Sequence, residues 1–293
     1  MPTWSDTLFY VVFLGQIFLI SHYFPARILR RMTHILETYP PTEYPKLYPR
    51  PLEYYRMGQI GFRIANRLIM ALGFAVLLSI MFLVDHGTFA DDGFISEAWP
   101  AAYGIVQFVP LIALEFSELS QLRLMRKIDA ATTRTAQLRP RRLFDYVSPV
   151  LVAAAAVLFV ASIVFDLAVH GFTIEWGHDT VQRAAVLTGT NAFLGAVAIW
   201  LLHGRKPNPH QSSSDRARQI AAGLHSFFYV SIVMSVFFAV QAAEDLYDFA
   251  FLEATLISFY YQVVVMLSIG QMLRSAPLED IDFEVYRETP ASA

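Results

Sequence analysis

The chain has 293 residues, of which 55% are hydrophobic and 16% charged, against about 25% charged in an average soluble chain. Its mean hydropathy is +0.43. It contains no cysteine, which excludes disulfides, thiolate metal sites and thiol nucleophiles, and behind the net charge of −3 lies a strong segregation of basic residues.

The apolar residues are gathered in long blocks that a water-soluble core would not require. Crossing the hydrocarbon takes about 20 mostly apolar residues per helix. The blocks at 7–24, 68–84, 99–116, 147–169, 184–202, 224–243 and 249–273 qualify. The expected fold is an all-α membrane protein with seven transmembrane helices in one domain over 1–274, followed by an acidic tail over 275–293. Residues 1–6 carry no basic run, and no small-residue cleavage site follows the first block, so that block reads as a permanent helix. The block 99–116 is the weakest, because Pro100 and Pro110 interrupt it and Glu115 lies near its end. The block 68–84 is short unless Arg63 snorkels.

Placing alternate connections on two sides puts 21 of the 22 lysines and arginines on one side and leaves Arg183 alone on the other. Basic residues are retained in the cytoplasm during insertion, so the expected topology has the amino terminus outside and the carboxyl terminus cytoplasmic. A wrong span count would have mixed the two sides. The expected setting is an inner (plasma) membrane of bacterial type, with anionic lipid headgroups against the basic face and no nucleic-acid partner.

Beyond the first block, Arg27-Ile28-Leu29-Arg30-Arg31-Met32 has the same alternation of basic and apolar residues as Arg123-Leu124-Met125-Arg126-Lys127-Ile128. A second pair of segments, 47–55 and 138–146, shares Leu, Pro, Arg, Leu and a final Tyr. Together they suggest a tandem two-helix repeat; the alternative is convergent loop chemistry, since Pro and Arg are common beside helix ends. The prolines of 39–49 predict an extended, polyproline-like strap, with its tyrosines at headgroup level. The strap within 39–55 is a possible peptide-docking surface. The tail 275–293 has no apolar periodicity and reads as mobile or partner-binding.

Ionisable groups inside spans are functional candidates by default. An inner polar cluster is expected from His22, Arg63, Asn66, Arg67, Glu115 and Glu118, either as a structural carboxylate–arginine knot or as a gate or proton relay. Acidic residues gather on the other side. Among them Asp166, Glu244 and Glu253 fall within or at span ends, and Asp166 stands one turn from His170. With Asn191 at mid-depth in the fifth block and Thr255, Ser258 and Gln262 on one face of the seventh, they outline a solute pathway or pocket through spans 5 to 7. Gly189 and Gly195 would allow close helix approach or unwinding there. His86, His170, His178 and Glu175 match no specific ligand spacing, so no metal is expected.

Other cofactors fail on position. A retinal Schiff base needs a lysine in the last span, and the lysines are Lys46, Lys127 and Lys206, all in connections. The last block has no histidine for a seven-span zinc hydrolase, and the histidines near spans lie at their ends rather than facing each other as a haem pair would require. Three functional readings remain. The first is small-solute or cation transport through spans 5 to 7. The second is a sensor or assembly subunit acting through the basic face, with a protein partner at 39–55 or 275–293. The third is a membrane-embedded enzyme using Glu115, Glu118 and His22 on a lipid-derived substrate.

Overall fold

A computed structural model describes residues 4–83, 90–91, 94–129, 141–172, 179–204, 208–275 and 277–287. The regular elements among the described residues are helical apart from a pair of two-residue strands, Ala90–Asp91 with Phe94–Ile95, and include seven helices long and apolar enough to cross a membrane. They are α1 (Trp4–Thr38), α2 (Leu52–Leu83), α3 (Ala98–Ile128), α4 (Pro149–Val169), α5 (Asp179–His203), α6 (Ser213–Tyr247) and α7 (Ala250–Ser275). One end of the bundle, here the basic end, is where α1, α3, α5 and α7 finish and α2, α4 and α6 start. The other is the acidic end.

The helices outrun the apolar blocks, chiefly at the basic end. α1 has 35 residues, about 52 Å at 1.5 Å per residue, against a hydrocarbon thickness of about 30 Å. Its second half, Phe24–Thr38, is amphipathic, with Ile28, Met32 and Ile35 alternating with Arg27, Arg30, Arg31 and His34. α2 starts at Leu52 and α3 continues to Ile128, through the buried Pro110. Basic helical turns beyond the bilayer carry no hydropathy signal, which is why the blocks stop short of them. Local chemistry sets several ends. The Ser148 and Ser212 hydroxyls accept from the backbone N–H groups of Val150 and Asp215 at 3.2 and 3.1 Å, capping α4 and α6. α4 closes through left-handed Gly171 and Phe172 (φ 64° and 58°), and α6 through Asp248 (φ 54°).

Two groups of helices make up the bundle. α7 packs against α1 and α3, and α2 packs against the same two helices. α6 packs against α4 and α5, and α6 and α7 join the groups. Between lipid-embedded helices no hydrophobic driving force operates, so close packing and hydrogen bonds hold them. At Gly73 a Cβ would overlap the Tyr103 hydroxyl, and at Gly104 it would overlap the Tyr261 ring. These glycines let α2 and α3 receive aromatic side chains. Gly189 and Gly195, by contrast, face open space within an unbroken α5, and neither mediates a close approach. Two π-helical turns interrupt the regular winding, Leu19–Tyr23 in α1 and Met266–Gly270 in α7.

The suggested repeat finds no counterpart in the packing. α1 and α2 pack together, whereas α3 lies on α2 and α7 and α4 lies on α6. The start of the second motif copy, 138–140, lies outside the described residues.

The strap is not an extended polyproline path. The Pro40 carbonyl accepts from the N–H groups of Glu43 and Tyr44 at 3.1 and 3.0 Å, and a 3-10 turn follows at Pro45–Leu47. Pro40, Pro41 and Pro45 initiate turns because their fixed φ suits the early positions of one. The Tyr48 hydroxyl then closes the loop by donating to the Tyr39 carbonyl at 2.6 Å. The tail, over 277–287, is folded and seated on this strap. Tyr44, Phe283 and Tyr286 form a buried cluster, and Tyr39 stacks on Phe283 with ring centroids 3.9 Å apart.

Candidate functional site

At the basic end, α1 and α2 enclose a groove of about 460 Å³. His22, Arg30, His34, Arg63, Asn66 and Arg67 line it, with Glu37 as its one carboxylate. Arg63 and Arg67 share a face of α2 one turn apart, and Arg30 reaches the groove from the amphipathic half of α1. Among the described residues none of these three arginines makes an ion pair. Four of the six residues expected in the inner polar cluster thus meet here: His22, Arg63, Asn66 and Arg67. Glu115 and Glu118 do not join them, since both are exposed on α3 away from the groove. Their neighbours Ser117 and Ser120 instead contact Tyr54 and Arg50, each at 3.0 Å.

Behind the groove runs a neutral hydrogen-bonded ladder. Ser21, a lining residue, accepts from Gln107 Nε2 at 2.9 Å and lies 3.3 Å from the Tyr103 hydroxyl. Gln107 Oε1 accepts from Gln16 Nε2 at 2.9 Å, and Tyr103 donates to the Ile69 carbonyl at 3.1 Å. Gln16, Ser21, Tyr103 and Gln107 are all buried, and the π turn of α1 lies beside them. π turns occur frequently at functional sites. The sequence reading missed Gln16 and Gln107, because each is a lone amide in an apolar run, whereas Gln262 shares a face with Thr255 and Ser258.

The residues expected to line a pathway through spans 5 to 7 fall in separate places. Asn191 is paired across α5 and α6, accepting from the Ser231 hydroxyl at 2.5 Å and donating to the Leu187 carbonyl at 2.9 Å. Gln262 turns to α1, where it donates to the Val12 carbonyl at 2.9 Å, and Gly15 leaves room for its side chain. Ser258 is fully buried in α7, its hydroxyl without a hydrogen-bond partner among the described residues.

The rest gather at the acidic end. Arg183 Nη2 lies 2.7 Å from Asp245 Oδ2 and 3.4 Å from the buried Asp166 Oδ1. His170 stands 3.4 Å from the same two carboxylate oxygens. This four-member ring ties together the ends of α4, α5 and α6, so the one basic residue set apart by the charge count neutralises the buried aspartate. Beside it Glu244 is buried, its Oε1 without a hydrogen-bond partner among the described residues, in the field of Glu253, Asp245 and Glu97. His86, Glu175 and His178 lie outside the described residues. Among the described residues no group of three or more His, Asp or Glu side chains is arranged so that it could hold a metal ion.

The strap, the tail and the start of α6 form one platform on the basic end. Tyr44 donates to Glu284 Oε1 at 3.1 Å, and Asn208 Nδ2 donates to the Tyr286 hydroxyl at 2.7 Å. Arg218 pairs with Asp215 at 2.9 Å and with Asp280 at 3.1 Å. Burial pushes the Tyr48 and Tyr286 hydroxyls up to about 12, so both stay protonated through the physiological range. A second cavity of about 390 Å³ opens between the strap, the end of α3 and His210.

No protein-family model matches the chain, and no curated protein or solved structure is similar to it.

Proposed function

We propose that this chain is a membrane sensor or assembly subunit that works through its basic end. The observation carrying the reading is the folded platform there, in which strap, tail and α6 share a buried Tyr44/Phe283/Tyr286 cluster and a set of ion pairs. A preformed surface of this kind presents tyrosines, arginines and carboxylates in fixed positions at little ordering cost to a partner. The chain isolated from its native membrane should carry a stoichiometric partner. That partner should be lost from the variant Tyr39→Ala/Phe283→Ala while the transmembrane helices melt as before. A chain that purifies alone before and after the substitution would remove this reading.

In the same reading the basic end faces the cytoplasm, in an inner membrane of bacterial type, because 21 of 22 basic residues lie on that side of the span pattern. Since the chain has no cysteine, single-cysteine labelling is clean. An impermeant reagent added outside should modify Asp179→Cys and spare Ser212→Cys, and the reverse result would invert the topology.

The acidic end favours a second reading, cation or small-solute transport, through the buried Glu244 set among Glu253, Asp245 and Glu97. Glu244→Gln and Glu253→Gln should then each reduce cation flux into proteoliposomes. Flux that neither substitution changes would discard it.

A further inference from the structure

We infer that the groove between α1 and α2 binds one anionic phospholipid, with its phosphate held by Arg63, Arg67 and Arg30 and its acyl chains laid along the apolar flank beside them. This goes beyond the sensor reading and depends only on the helices being embedded in a bilayer.

The charge in the groove asks for an anion. Three guanidinium groups and two imidazoles face one carboxylate, Glu37, and none of the three arginines has an ion-pair partner among the described residues. Guanidinium forks match the paired oxygens of a phosphate. The floor is made of buried Ser21 and Asn66. Ser21 is fixed from behind by Gln107, and Asn66 Nδ2 is tied to the Phe62 carbonyl at 2.7 Å. The groove is therefore a rigid seat.

Depth and flank favour a lipid over a free anion. The apolar part of α2, 68–83, is about 24 Å long where the hydrocarbon is about 30 Å thick. Centred there, the stretch leaves Arg67 about 3 Å inside the hydrocarbon edge, within snorkelling reach of the lipid phosphates, and Arg63 one turn further out at headgroup level. Adjoining positions on the two helices expose Phe18 by 54%, Ile64 by 50%, Leu68 by 65% and Leu72 by 46%. A lipid joins the phosphate in the groove to acyl chains against that flank in one molecule, whereas a soluble phosphate makes no contact there.

The full chain, purified and delipidated in detergent, is titrated with phosphatidylglycerol, phosphatidylcholine and inorganic phosphate, and bound species are counted by native mass spectrometry. One phosphatidylglycerol should bind saturably and at least about tenfold more tightly than phosphatidylcholine, and inorganic phosphate should not displace it. Arg63→Gln/Arg67→Gln should weaken that binding about thirty-fold, the joint effect of two basic residues at a lipid surface. Arg56→Gln, on the same helix outside the groove, should leave it unchanged. Arg63→Lys/Arg67→Lys, which keeps the charge and loses the fork, should recover part of it, which separates lost charge from lost folding. Wild-type affinity in the double glutamine variant, equal loss in the lysine variant, or inorganic phosphate binding as tightly as the lipid would each overturn the inference.

Discussion

α1, α2, α3 and α7 are held at mid-depth by neutral polar groups, the Gln16–Gln107–Ser21–Tyr103 ladder and the Gln262 contact with Val12. α4, α5 and α6 have the Asn191–Ser231 pair at that depth and are tied by charge at the acidic end, where Arg183 and His170 meet Asp166 and Asp245. The difference follows from the solvent. In hydrocarbon an unsatisfied polar group costs several kcal/mol, so amides are tolerated when partnered, whereas a full charge is retained only where headgroups and water reach it. The first group therefore gains rigidity deep in the membrane and the second gains it at its rim.

The largest effect expected from this contrast is steric. Leucine at Gly104 would drive into the Tyr261 ring, which is fixed by its own contact with the Ala101 carbonyl at 3.3 Å. Overpacking of this kind costs about 1–3 kcal/mol and occasionally more, and α3 and α7 would part. Gly195→Leu, in the other group, meets open space. Thermal melts in detergent should show a large loss for Gly104→Leu and little change for Gly195→Leu. Similar losses would mean that the two groups are packed alike.

Next comes the rim. Arg183→Gln takes the guanidinium from the buried Asp166 and leaves His170 beside it, and stranding a buried charge costs about 3–5 kcal/mol. Arg183 is partly exposed and His170 stays beside Asp166, so about 2 kcal/mol, below that range, is the expected figure. Asp166→Asn/Arg183→Gln should melt closer to wild type than Arg183→Gln alone. A double variant as weak as the single one would show that Arg183 acts by packing rather than by charge.

These side chains also mark what was legible in the sequence. The seven helices were, because about 20 apolar residues in a row have no other use. Their lengths were not, because charged turns beyond the bilayer lack a hydropathy signal, and so Arg30 was placed beyond the first block and outside the polar cluster while it lines the groove. His22, Arg63, Asn66 and Arg67, grouped by depth alone, line one groove. The same argument included Glu115 and Glu118, which do not line it, since depth says nothing about which way a helix face turns. The Gln16–Gln107 pair joins positions 91 residues apart, a separation at which no local pattern operates. Gln262 was assigned to the α5–α6 side for the same reason, and it faces α1.

Removal of the ladder's central amide tests how much depth contributes. Gln107→Leu deletes its bonds to Gln16 and Ser21 while keeping the volume. Hydrogen bonds between membrane helices average about 0.6 kcal/mol and reach about 1.7, so a loss of about 1.5 kcal/mol is expected. A neutral result would make the ladder incidental to stability and leave the π turn of α1 without a structural partner.

Smallest should be Ser231→Ala, which deletes one hydroxyl from the mid-depth pair of the second group. Asn191 keeps its own bond to the Leu187 carbonyl, so the change strands a single acceptor, Asn191 Oδ1, at a position that is only half-buried. The expected loss is about 0.6 kcal/mol, less than half that of Gln107→Leu measured in the same detergent. The ratio carries the argument more than either value. If Ser231→Ala cost as much as Gln107→Leu, the α4–α6 group would depend on a polar interior as much as its neighbour does, and the division between a rigid interior and a rigid rim would fall.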